Sequence, residues 1–145
     1  TKSKSSNVDL AFVIPHFYDS LQKWTPQITY NGKLDYTFNH ILSILDTTDN
    51  ASIIIMAYRN FATGNDSIVQ ISQQEIKDAS NGVHPTDVIV AIETGDVDPS
   101  YVTFFGLTKK YMSEQMTKVN TQFAASIGYN GIAVHYYEPF LKIVK

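Results

Sequence analysis

Ile53-Ile54-Ile55-Met56-Ala57-Tyr58-Arg59 is the stretch whose reading decides the fold. β-Branched residues this dense in so short a run specify a strand rather than a helix. A strand apolar on both faces is one buried on both, as in a parallel sheet covered by helices. Its polar end, Tyr58 and Arg59, falls where parallel α/β folds carry their chemistry, at the C-terminal ends of the strands.

Working outward, three more runs read as strands: Val8–Pro15, Thr86–Glu93 and Gly131–Tyr136. Between them the apolar spacing turns helical. Leu34, Phe38, Ile41, Leu42 and Leu45 predict a helix over Leu34–Asp46. Ser72-Gln73-Gln74-Glu75 has the form of a capping box and predicts a short helix over Ser72–Ala79, ended by Asn81-Gly82 and His84-Pro85. Thr108 caps a helix over Lys109–Ile127, striped by Met112, Met116, Val119, Phe123 and Ile127, with Gly128 suited to its C′ position. Pro139–Val144 starts a last helix. Ile28-Thr29-Tyr30 before Asn31-Gly32 reads as a hairpin arm just after Trp24 and Pro26, and Tyr101–Phe105 as a short extended piece. Alternation of strand and helix through four βα units predicts a parallel α/β sheet. An open doubly wound sheet is the alternative, and strand order separates the two: sequential neighbours for one, a reversal for the other.

The 145 residues suffice for one domain with a real core, 1-145, led by a polar, loose segment over residues 1–7. With 43% apolar and 17% charged residues the composition is that of a globular protein. A net charge of −3 gives no basic field for nucleic acid. No apolar run reaches the roughly 18 residues of a spanning helix, so no membrane span is expected. Thr1 is not a natural start, and a removed upstream segment is expected. Without Cys there is neither a disulfide nor Cys-bound zinc. Nine Tyr and eight Phe fit a stacking surface for sugars or a well-filled core.

Side chains alternate along a strand, so parity selects which residues meet. Ala57 precedes Arg59 by two, Ala91 precedes Glu93, and Ala133 precedes His135. With the small residues facing a crowded interior, Arg59, Glu93 and His135 converge at the C-terminal mouth; the opposite parity puts Met56 and Tyr58, Ile92 and Thr94, and Val134 and Tyr136 there instead, and a bulge mixes the two. Glu93 then reads as a general acid, a nucleophile or a sugar-hydroxyl ligand, or else as the structural ion-pair partner of Arg59. His135 orients a substrate or bonds to backbone in the core. Tyr58, Tyr136 and Tyr137 stack on a sugar face or pack with their hydroxyls outward. His16 and Asp19, behind the first strand, are weaker candidates, and Glu138 before Pro139 reads also as a cap. Asp96 and Asp98 read as a solvated turn rather than a cation site. There is no Gly-rich phosphate loop, no Ser-His-Asp signature and no His-x-x-x-His pair, so no metal or other cofactor is expected.

Ile55-Met56-Ala57-Tyr58-Arg59, Ala91-Ile92-Glu93-Thr94 and Gly131-Ile132-Ala133-Val134-His135-Tyr136-Tyr137 resemble the last strands of a TIM-barrel family of glycoside-hydrolase-like proteins, often secreted by bacteria. Leu10–Tyr18 and the Tyr30-Asn31-Gly32-Lys33 turn are similar to the preceding part of such barrels, so the resemblance runs from about Val8 to Phe140. Met56-Ala57-Tyr58 also resembles the Met-x-Tyr-Asp strand of family-18 chitinases, with Arg59 in place of Asp. The resemblance implies a four-stranded half of a (βα)8 barrel, strands five to eight, with Glu93 at the nucleophile position of a large retaining clan. That clan's usual Trp on strand eight is here His135 or Tyr136. It further implies a polysaccharide or cell-wall glycan as partner, a secreted or cell-surface location with a cytoplasmic one left open, and a catalytic acid on the absent half. The chain alone is then silent, a non-catalytic carbohydrate-binding or assembly module being the alternative. A half barrel leaves bare edges and an open core face, which a second copy in a homodimer or a missing N-terminal half covers.

Overall fold

The computed structural model describes residues 9–20, 25–48, 50–82 and 86–143. Trp24, the His84-Pro85 helix end, the polar lead, Val8 of the expected first strand and Val144 of the expected last helix lie outside them. The chain is a mixed α/β protein. Strands β1 (Leu10–Pro15), β4 (Ala51–Met56), β5 (Asp87–Glu93) and β6 (Tyr129–His135) form one parallel four-stranded sheet. They stand side by side in chain order, with no reversal. A two-stranded hairpin, β2 (Ile28–Tyr30) and β3 (Lys33–Asp35), sits in the first crossover. Its turn is Asn31-Gly32, both at positive φ (49° and 78°), as a two-residue hairpin turn requires. Leu34, expected to open the first helix, is therefore a hairpin residue and exposed.

Helices α1 (Thr37–Leu45), α2 (Ile68–Ser80) and α3 (Lys109–Phe123) follow the first three strands of the large sheet, and a short α4 (Tyr137–Leu141) follows β6. Their apolar stripes and one face of the sheet make a single core. Ile14, Ile53, Ile55, Val88, Val90 and Ile92 enter from the strands, and Phe38, Leu42, Ile68, Ile76, Met112 and Val119 from the helices. All the strand residues share one parity in the register of the sheet. The other parity, including Val13, Ile54, Met56, Ile89 and Ala133, belongs to no part of that core, and Val13 is 58% exposed.

Three boundaries differ from expectation for local reasons. Helix α2 begins a full turn before Ser72, because Ser67 is its N-cap and accepts from Gln70 N–H at 3.3 Å. The working Ser-x-x-Gln pattern is thus Ser67–Gln70, whose Gln70 side chain accepts from Asp66 N–H, while Ser72 and Glu75 lie buried within the helix. Helix α3 has the expected Thr108 cap but ends at Phe123, leaving Ile127 74% exposed. Gly128 is not its C′ residue. It lies where a Cβ would come 2.9 Å from Ser80 N, so its absence of a side chain lets the chain cross the end of α2 before β6. Tyr101–Phe105 is not extended: Ser100–Val102 is a 3-10 turn, and only Thr103 bridges to Glu93.

Candidate functional site

Register decides which strand-end residues meet. Met56 pairs with Ala91 and Ala91 with Ala133, so Ala57 is not the equivalent of those alanines. Burial of Ile53 and Ile55 against the helices fixes this register, and one step along a strand reverses the side. The residue that aligns with Glu93 and His135 is consequently Tyr58. Its ring stacks on His135 with centroids 5.9 Å apart and planes 19° apart, while Tyr136 meets the same imidazole edge-on at 5.1 Å. Burial, with the Glu93 charge second, raises the Tyr58 phenol above its usual range.

Arg59 turns away. Its guanidinium makes a two-pronged pair with Asp66, at 2.9 Å from Nε and 2.7 Å from Nη2, and donates from Nη1 to the Tyr58 carbonyl at 2.7 Å. The cation also lies 5.4 Å from the Tyr101 ring centroid. The Arg59–Glu93 ion pair, one of the alternatives read for Glu93, does not form; Arg59 instead pairs with Asp66 and ties the loop behind β4. Hydrogen bonding to Arg59 holds the Asp66 carboxyl below its usual range. Asp66 has φ 56°, and nothing in its surroundings in sequence marks it as the partner.

Glu93 ends β5 at 4% exposure, with both oxygens engaged. Oε1 accepts from Thr94 N–H at 2.7 Å and Gly95 N–H at 2.6 Å, and Oε2 lies 2.7 Å from His135 Nδ1. Gly95 is required here, since a Cβ would sit 2.9 Å from the Tyr136 ring and 3.0 Å from Glu93 Oε1. Thr94 clasps the neighbouring strand end, its N–H donating to the His135 carbonyl at 2.6 Å and its hydroxyl reaching the carbonyls of His135 and Tyr136 at 3.1 and 3.0 Å. The His135–Tyr136 peptide bond is cis. Sequence reasoning does not single out Thr94 and Gly95 as its bonding partners; the Thr-Gly that directly follows the acid at the strand end is the one pattern that could mark them.

The other candidates scatter. His16 Nδ1 contacts the Met56 carbonyl at 3.3 Å, and its electrostatic neighbours are Arg59 and Asp66; burial, the largest influence, lowers its pKa below 6.5. Asp19 ends the 3-10 turn after β1, with Asp78 of α2 among its electrostatic neighbours and burial raising its pKa. Tyr137 is exposed in the first turn of α4, and Glu138 follows it there without capping the helix. Asp96 and Asp98 are exposed, and no cluster of metal-ligating side chains occurs among the described residues.

The arrangement is a buried carboxylate that orients an exposed imidazole between two tyrosines, at the C-terminal ends of adjacent parallel strands. Compared with known proteins, the chain matches no family model, no curated protein and no solved structure.

Proposed function

We propose that this mouth is the glycan site of a glycoside-hydrolase-like half barrel. The observation that carries the reading is the Tyr58–His135–Tyr136 aromatic cluster fixed by Glu93 at the strand ends. Aromatic faces stack on the apolar faces of sugar rings, and an imidazole with a free edge can bond a hydroxyl. Retaining hydrolysis needs a second carboxyl roughly 5–5.5 Å from the first. On this reading the second carboxyl belongs to the complementary half of the barrel, and the chain by itself binds glycan without cleaving it. A cell-wall glycan as partner places the protein outside the membrane. Titrating chitohexaose into the protein by calorimetry is expected to give saturable binding. Tyr58→Ala should weaken it by roughly two- to tenfold, since an aromatic contact contributes roughly 0.5–1.5 kcal/mol. A flat titration with the wild type would dispose of the glycan reading.

Sequential strand order, helices on one face and an apolar second face support the half-barrel architecture. On that reading, four further βα units complete the barrel. Exposed Phe12 and Val13 on β1 and Val134 on β6, the outer strands, favour an assembly role beside the glycan one. Light scattering of the isolated chain should then show self-association beyond its 16.3 kDa. A well-behaved 16.3 kDa monomer that binds no hydrophobic dye would count against it.

A further inference from the structure

We infer that His135, through Nε2, is the group that takes a proton from a hydroxyl or water bound at this mouth, and that Glu93 is the positioning residue that aims it. The substrate class rests on the glycan reading; the state of the ring does not. A carboxylate nucleophile needs an oxygen free to reach carbon. The Glu93 side chain is 5% exposed, and its oxygens are taken by Thr94 N–H, Gly95 N–H and His135 Nδ1. The imidazole has the complementary arrangement. Its side chain is 55% exposed, its one hydrogen bond among the described residues is through Nδ1, and Tyr58 and Tyr136 fix its plane.

The bonding pattern selects the tautomer. An ionised Glu93 has no proton to give, so while Oε1 accepts the two N–H bonds, Nδ1 is the donor in the Oε2 contact. The neutral ring then carries its lone pair on Nε2. When a sugar hydroxyl or water meets that lone pair, the O–H bond breaks and an Nε2–H bond forms. The electron pair stays on oxygen as alkoxide or hydroxide, and the positive ring lies against the Glu93 carboxylate at 2.7 Å.

Glu93→Gln tests this directly. The glutamine carbonyl must occupy the Oε1 place to accept from Thr94 and Gly95, which puts its NH2 against Nδ1. Nδ1 is then forced to accept, and the proton moves to Nε2. Long-range 1H–15N correlation spectra of the labelled full chain should show His135 protonated on Nδ1 in the wild type and on Nε2 in the variant. Carbethoxylation of His135 by diethyl pyrocarbonate, followed by peptide mass mapping, should slow by roughly tenfold or more in the variant. In a protease triad the wrong tautomer costs catalysis on the order of 10⁴. Tyr58→Phe, which keeps the stacked ring, should leave the wild-type tautomer in place. Nε2–H in the wild type, or an unchanged tautomer in a folded Glu93→Gln, would overturn the assignment. Should the variant not fold, the wild-type spectrum alone decides. Chitohexaose failing to bind while the tautomers behave as stated removes the glycan reading and leaves the histidine assignment standing.

Discussion

Between pH 7 and 8.5 the unfolding free energy of this protein is expected to fall by about 1.4 kcal/mol per pH unit, and Glu75→Met to abolish the fall. Glu75 is 0% exposed in α2, and among the described residues neither carboxyl oxygen has a hydrogen-bond partner, nor has the Ser72 hydroxyl one turn away. Burial, with the Asp19 charge next, pushes its pKa from 4.5 to about 9. The unfolded chain releases this proton near 4.5 and the folded one keeps it until near 9. Stability from this group is thus complete below 4.5 and is lost as pH rises toward 9. By pH 7 the loss has reached about 3.5 kcal/mol, the 2.5 units between 4.5 and 7 at about 1.4 kcal/mol each. Methionine fills a similar volume without a charge to desolvate, so the variant should be more stable at pH 7 by about that amount. For a chain of this size that is on the order of 7–14 °C in Tm. His16 acts with the opposite sign: its pKa is lowered below 6.5, so its contribution is lost as pH falls below that value, outside the chosen window. Urea titrations at pH 7 and 8.5 make the measurement. Parallel pH dependence in wild type and Glu75→Met would show that Glu75 finds a partner or water in solution.

The parallel α/β sheet was legible because the apolar runs are unambiguous. Ile53–Met56 and Val88–Ile92 hold β-branched residues on both faces, which no amphipathic helix does. The hairpin was legible from Asn31-Gly32, where chemistry and geometry coincide at positive φ. Helix starts were less so. Two Ser-containing box patterns follow one another, Ser67–Gln70 and Ser72–Glu75, and only packing distinguishes the one at the N-terminus from the one in the core. The site was half legible. Glu93 and His135 lie opposite each other in register, so matching the alanines two residues before them selected a true pair. Carrying the same match to Ala57 put Arg59 in the place that belongs to Tyr58, because β4 is fixed by which isoleucines its helices bury, not by its alanine. Arg59 then found Asp66, seven residues on, through a loop conformation that composition does not encode.

Phe104→Ala is expected to cost about 3–5 kcal/mol, the usual range for emptying a fully buried Phe site. The ring is 0% exposed within the core and lies tilted against Tyr111 at 6.4 Å. Its backbone is also the underside of the site: Phe104 N–H donates to the Glu93 carbonyl at 2.9 Å. Beside it, the Thr103 hydroxyl donates to the Gly95 carbonyl at 2.7 Å and accepts from Phe105 N–H at 3.0 Å. A cavity here therefore loosens the turn whose amides hold Glu93. Phe38→Ala is the matched control, an equally buried ring on α1 with no bond to that turn. Both variants should lose comparable global stability in urea. Only Phe104→Ala should speed hydrogen exchange at the Thr94 and Gly95 amides beyond what the global loss accounts for, because a local opening then becomes the easier route. Equal acceleration in the two variants would mean that the Glu93 turn opens only with the whole protein. Selective acceleration would show that the carboxylate's hold on His135 depends on a core ring ten residues beyond the Thr94 amide.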